Sequence, residues 1–167
     1  MRRAPFTLVR LDAAHHDRKA FDCRSAPLNH YLHEQAGQDV RRRIAACFAA
    51  IAEDGRIAGY YTLASASVLL ADLPKSVSKK LPRYPTVPAV RLGRLAVDHT
   101  CQGQGLGGAL LADALERAIR SEVASYAMVV DAKDDAATAF YRHHGFIEFP
   151  SSPRKLFLPL AVAEKTR

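Results

Sequence analysis

The chain has 167 residues, 49% of them hydrophobic and 25% charged, which suits one folded domain and excludes a disordered, collagen-like or multidomain protein. Lys and Arg number 24 against 17 Asp and Glu, a formal charge of +7 that favours anionic partners such as phosphates or nucleic acid without naming one. Cys23, Cys47 and Cys101 stand far apart with no Cys-x-x-Cys or clustered Cys/His spacing, which excludes a disulfide framework and a structural zinc site and points to the cytoplasm.

Behind Arg2 and Arg3, charges such as Asp12 and Asp17 interrupt any leader-like apolar stretch, and the run Ile44 to Ala52 is too short to span a bilayer. We therefore expect no membrane partner and one domain over 1–167. Ser25, followed by Leu28, Tyr31, Leu32, Gln35 and Ala36, predicts a capped helix ending near Arg41, Arg42 and Arg43. Ala45 to Ala52 and Ile57 to Ser65 flank Glu53-Asp54-Gly55-Arg56, and Asp-Gly predicts a hairpin of two antiparallel strands. From Leu73, the prolines at 74, 82, 85 and 88 predict a short helix and a loop, and Ala89 to Val97 then reads as a strand. Leu106 to Ile119 carries an apolar stripe at helical spacing, Tyr126 to Asp131 reads as a strand, Asp134 to His144 as a helix closed by Gly145, and Leu156 to Leu160 as a last strand.

Between the Ala89 strand and the Leu106 helix lies Gln102-Gly103-Gln104-Gly105-Leu106-Gly107-Gly108. A glycine-rich turn opening a helix exposes backbone N–H groups at the positive end of the helix dipole, a site for phosphate or pyrophosphate. Gly103, Gly105 and Gly108 also satisfy Gly-x-Gly-x-x-Gly. A dinucleotide fold would place that turn after its first strand with further strand–helix units behind it, whereas a hairpin precedes it here.

Gln102, Gly105 and Gly107 resemble the acyl-CoA signature of the GNAT acetyltransferase superfamily: Arg or Gln, two residues, Gly, one residue, then Gly or Ala. Phe140-Tyr141-Arg142-His143-His144-Gly145-Phe146 is similar to that family's second characteristic segment. The resemblance implies an α/β fold, a mixed, mainly antiparallel sheet flanked by helices and splayed at the strand pair that receives acetyl-CoA. It implies Leu95, Ala96 and Val97 beside the pantetheine arm and Gln102, Gly103, Gln104, Gly105, Leu106, Gly107 and Gly108 around the phosphates, with no metal.

A narrower resemblance is to the GNAT-type toxins of bacterial toxin–antitoxin modules. It is carried by His16-Asp17-Arg18 through Phe21-Asp22-Cys23, by Leu92-Gly93-Arg94-Leu95-Ala96-Val97-Asp98, by Val130-Asp131-Ala132-Lys133-Asp134, by Phe140-Tyr141, and by Lys155-Leu156-Phe157-Leu158-Pro159-Leu160. Arg24 and Cys101 depart from the pattern, where a small residue and an aromatic are usual. That family acetylates the amino group of aminoacyl-tRNA and halts translation, and it implies a ribbon-helix-helix antitoxin as partner. Acetylation of a small amine or a protein N-terminus stays open, as does a non-catalytic nucleic-acid- or protein-binding module, and so does a homodimer.

Adjacent residues on a helix cannot share one face, so of Phe140 and Tyr141 one should be core and the other free. A departing CoA thiolate needs a proton that a phenol can supply, which makes Tyr141 the general-acid candidate, with a packing tyrosine as the bland alternative. No carboxylate stands out as a base, and Asp131 reads as a strand-end residue. Arg41, Arg42, Arg43, Lys75, Lys79, Lys80, Arg83, Arg91 and Arg94 could track RNA phosphates or form a solvated basic face. His15-His16 and His143-His144 lack convergent ligand spacing, and Cys101 reads as packing.

Overall fold

Asp54-Gly55 turns the chain as its sequence announces: Ala46–Ala52 (β2) and Ile57–Leu69 (β3) pair antiparallel from Ala46↔Leu63 to Ile51↔Ile57. The computed structural model describes residues 5–166, so Arg2 and Arg3 lie outside the described residues. An additional strand, Phe6–Arg10 (β1), pairs antiparallel with β2, from Phe6↔Ala52 to Arg10↔Phe48.

The predicted first helix is present, interrupted by a wider turn. Ala26–His30 (α1) leads into a π-helical turn, Tyr31–Gln35, and then Ala36–Arg41 (α2). Ser25 is extended as an N-cap should be, but its side chain makes no capping bond. Asn29 supplies the order instead: its Oδ1 accepts from the Cys23 N–H at 2.9 Å, and its amide donates to Asp22 at 2.9 Å. At the far end Arg43 takes the left-handed conformation (φ 60) that usually falls to glycine, and the Ile44 N–H closes the helix on the Asp39 carbonyl.

Further along, a short helix Lys75–Ser78 (α3) precedes Thr86–Val97 (β4), which starts three residues before the expected strand. Leu106–Arg120 (α4), Ala127–Asp131 (β5) and Asp135–His143 (α5) follow close to their predicted bounds. Asp134 caps α5, accepting from the Ala137 N–H at 2.8 Å. Besides β1, two further elements were not expected, Ile147–Phe149 (β6) and Leu160–Lys165 (α6). The last strand, Ser152–Pro159 (β7), is longer than the predicted one and excludes Leu160, which opens α6.

The seven strands form one sheet in the order β1-β2-β3-β4-β5-β7-β6, mainly antiparallel, with β4 and β5 as a parallel pair. Their ladder runs from Ala89↔Ala127 to Leu92↔Val130, and β4 continues to Val97. The chain divides into two compact units. One comprises the chain up to Ala64 with Gly93–Ala114, the other Ser65–Leu92 with the chain from Leu115. The first is cored by Phe21, Tyr31, Leu32, Cys47, Tyr60 and Ala96 among others, the second by Val68, Val87, Val129, Phe149 and Phe157 among others. Among the described residues no helix is long and apolar enough to cross a membrane.

The first unit's core contains ionisable groups that burial keeps neutral. Burial pushes the Cys47 thiol up to about 12 and raises the Tyr60 phenol, whose hydroxyl donates to the Leu28 carbonyl at 2.7 Å. For Cys47, whose folded-state pKa is raised, the stability contributed by keeping the thiol neutral is complete below about pH 9 and is lost as pH climbs towards 12, while the contribution of Tyr60 is lost only at higher pH. We expect the thermal midpoint to hold between pH 7 and about 8.5 and to fall above it, and Cys47→Ala to make that fall shallower. Melting curves across the series check this.

Candidate functional site

α4 opens from the glycine-rich turn, and the turn's backbone shows what it can hold. Gly103 and Gly105 both have φ +78, a conformation that L side chains rarely adopt, and a Cβ built on either meets nothing within 4 Å. Open space above two left-handed glycines at a helix start leaves room for a ligand to lie against the backbone. The first-turn N–H groups of α4 have no intrahelical partner, and the helix dipole adds positive potential there. The turn therefore fits the pyrophosphate of a CoA thioester.

Leu95 and Val97 on β4 are half-buried and Ala96 is buried. The end of β4 is joined to the turn by a set of bonds centred on Asp98, which sequence reasoning did not single out. Asp98 is only 1% exposed. Its carboxylate accepts from the Asp22 N–H at 3.0 Å, the Thr100 N–H at 3.0 Å and the Thr100 hydroxyl at 2.7 Å. Gln102, the first residue of the signature, turns its side-chain amide back to the Val97 carbonyl at 3.2 Å. An Asp two residues before a Thr at a strand end was a readable turn signal for this knot.

Burial by itself would raise the Asp98 pKa, but the bonds from Asp22 and Thr100 outweigh it and hold the carboxyl below its usual range. Its contribution to stability is therefore present above the ordinary carboxylate pKa and lost as pH falls through the depressed one. Asp98→Asn turns an amide towards donors and should cost about 2–3 kcal/mol at pH 7. Acetyl-CoA affinity should weaken with the loosened turn. Melting curves of wild type and Asp98→Asn should converge as pH falls through the depressed pKa of Asp98, and calorimetry reads the affinity.

Gly59 on β3 also positions the turn. A Cβ there would stand 2.9 Å from Leu110 and 3.0 Å from the Ala96 carbonyl, so its absence lets α4 lie directly on the strand. Tyr61, two residues on, donates its hydroxyl to Asp113 of α4.

Tyr141 lies on α5 and is the buried member of its pair, 8% exposed, while Phe140 is half-buried. Phe140 and Phe146 flank its ring with centroids at 5.2 and 5.4 Å. Among the described residues no group hydrogen-bonds its hydroxyl, and burial pushes its pKa up to about 12. A phenol held this way is protonated at every working pH and can give a proton without first breaking a bond.

Arg41, Arg42 and Arg43 are exposed at the end of α2, and Arg94 stacks on the Tyr31 ring at 3.5 Å from its centroid. These four belong to the first unit. Lys75, Lys79, Lys80 and Arg83 are exposed around α3 in the second unit, where Arg91 pairs with Asp131 at 2.6 Å. That pairing accounts for Asp131 without a role as base. Among the described residues no group of His, Cys, Asp and Glu could hold a metal.

The family model for the acetyltransferase (GNAT) family matches residues 12–146. A tRNA-acetylating toxin of Mycobacterium tuberculosis is 38% identical over 144 residues, 85% of each chain. Among solved structures, AtaT complexed with acetyl-methionyl-tRNAfMet superposes with TM-score 0.90 at 32% identity, covering 96% of this chain and 98% of that one. AtaTR bound with acetyl-CoA gives 0.84 at 33%, covering 97% and 98%. A tyrosine-to-phenylalanine mutant of AtaT bound to the C-terminus of the antitoxin AtaR gives 0.83 at 28%, covering 98% of each. With its signature turn opening α4 beside the end of β4 in a seven-stranded, mainly antiparallel sheet, the chain belongs to the acetyltransferase (GNAT) family.

Proposed function

We propose that this acetyltransferase moves the acetyl group of acetyl-CoA onto the α-amino group of the amino acid carried by a charged tRNA, and that this blocks translation. The observation that carries the donor half is the open turn at Gly103 and Gly105 at the start of α4. The acceptor half is supported by 38% identity to a tRNA-acetylating toxin and by likeness to AtaT in complex with acetyl-methionyl-tRNAfMet.

In this reading Gln102, Gly103, Gln104, Gly105, Leu106, Gly107 and Gly108 hold the phosphates, and Leu95, Ala96 and Val97 run beside the pantetheine arm. When bound, acetyl-CoA supplies the activated thioester. Tyr141 Oη holds the proton that the departing sulfur takes. The acceptor amine of an aminoacyl ester already has a pKa below that of lysine, so water suffices as its base. Arg41, Arg42, Arg43, Lys75, Lys79, Lys80 and Arg83 attract the RNA backbone, with Arg91 and Arg94 contributing charge from their intramolecular pairings.

An enzyme of this kind needs an inhibitor in its own cell. We assign that role to a ribbon-helix-helix antitoxin whose acidic C-terminal segment folds onto the basic chain, as its +7 charge favours. AtaT with the C-terminus of AtaR supports such a pairing. The same reading places the enzyme in the cytoplasm, as one domain over 1–167 and as a homodimer, which sedimentation would check.

The deciding experiment incubates the purified protein with acetyl-CoA and charged tRNA and measures the mass of the 3′-aminoacyl group. We expect one acetyl added at its amine. Acetylation of free amines alone, with charged tRNA untouched, would overturn the acceptor.

A further inference from the structure

Arg18 and Arg41 come to one place on the first unit, and Gly37 makes the place. A Cβ built on Gly37 would have Ala13 Cβ at 3.3 Å, Arg41 Nη1 at 3.4 Å and Arg18 Nη1 at 3.6 Å. A glycine inside a helix costs about 1 kcal/mol relative to alanine, and here its bare backbone lets two guanidinium groups lie against the same turn. Like charges do not gather without cause.

Arg18 is fixed rather than loose. Its Nη1 donates to the Leu32 carbonyl at 3.1 Å, within the π-helical turn Tyr31–Gln35, where the Ala36 N–H reaches back to Tyr31 and the α-helical pattern is broken. Such turns inserted into α-helices are frequent at functional sites. Arg18 is half-buried and Arg41 exposed, so the pair has one face towards the helix and one towards solvent. Among the described residues neither guanidinium pairs with a carboxylate. Asp39, on the same helix, instead accepts the Tyr31 hydroxyl at 2.9 Å.

We propose that Arg18 and Arg41 form a clamp for a single phosphodiester of the tRNA backbone. The inference rests on the aminoacyl-tRNA reading and names a contact within it. Two guanidinium groups held against the same glycine can each offer a donor to one of the two non-bridging oxygens of a phosphate, whereas a planar carboxylate is filled by one fork. That chemistry favours RNA over an acidic peptide at this place.

The test measures binding of uncharged tRNA over a salt series to the full chain carrying Arg41→Gln, Arg18→Gln or both. Arg41 has no described hydrogen bond to lose, so Arg41→Gln keeps the experiment decisive if Arg18→Gln loosens the π turn. Arg56→Gln, an exposed cation in the β2–β3 turn, serves as control. We expect each single variant to raise Kd about tenfold at 0.1 M salt and the double variant to add little more, because both side chains hold one phosphate. The slope of log K against log salt should fall by about 0.7–0.9 in all three and not in Arg56→Gln.

Unchanged slopes in Arg41→Gln and in the double variant, with wild-type tRNA binding and acetylation intact, overturn the clamp alone. Additive losses overturn the shared phosphate. Loss of antitoxin binding with tRNA affinity unchanged assigns the pair to an acidic peptide and also overturns it. A wild-type protein that neither binds nor acetylates tRNA overturns the clamp together with the proposed acceptor.

Discussion

Tyr141→Phe is expected to lower turnover by two to four orders of magnitude while leaving the thermal midpoint and acetyl-CoA affinity close to wild type. The substitution removes one hydroxyl that no described group bonds and keeps the ring between Phe140 and Phe146, so the packing loses nothing. Two effects therefore separate. A tyrosine serving only as packing would tolerate the change, and one serving as proton donor would not. With a pKa near 12 the phenol stays protonated through the neutral and mildly alkaline range, so an alkaline limb in the rate profile below about pH 10 should not come from Tyr141. Steady-state kinetics with charged tRNA read both the rate and the profile. A full transfer rate in Tyr141→Phe would remove the residue from the chemistry.

The elements legible in the sequence are those decided by neighbours along the chain. Asp54-Gly55, the stripe of α4 and the cap of α5 each depend on a few adjacent residues, and each is found where their spacing puts it. β6 was hidden because it is three residues long, sits between Gly145 and the prolines at 150 and 153, and gains its ladder from β7, with a register shift at Glu148/Phe149. The run Leu156 to Leu160 is apolar throughout, so periodicity could not mark where Pro159 ends the strand and α6 begins. Ser25 has the right identity and backbone for a capping residue. Its bond is nonetheless absent, since Asp22 and Asn29 organise that corner.

The candidate site divides in the same way. Its glycine turn is a local pattern and could be read directly, whereas Asp98 acts through Asp22, 76 residues earlier, and Gly59 through α4. Arg18 meets Arg41 only because the chain folds back over Gly37. Charge counting could place arginines in a set, but it could not tell that Arg91 is taken by Asp131 and Arg94 by Tyr31. Long-range partners are set by packing, and composition carries no record of them.

Gly105→Asp should abolish acetyl-CoA binding with little loss of stability, a combination that a simple folding defect would not produce. At φ +78 any side chain is strained by about 1–2 kcal/mol, although aspartate and asparagine tolerate this region better than other residues. Against that strain stands a gain. A carboxylate immediately before Leu106 can cap the free N–H groups of α4 and face its positive dipole, which is worth about 1 kcal/mol. The same cap occupies the donors that the pyrophosphate would use and sets negative charge against negative charge, so affinity should fall by at least a hundredfold. Gly105→Asn separates the two causes, since it caps without charge and should lose less. A methyl group meets nothing within 4 Å at this position, so Gly105→Ala measures strain and ligand clash without either effect. Calorimetry with acetyl-CoA and melting curves on the three variants decide the matter: wild-type affinity in Gly105→Asp would move the cofactor away from this turn, and a collapse of the melting temperature in step with affinity would show that the loss was one of folding.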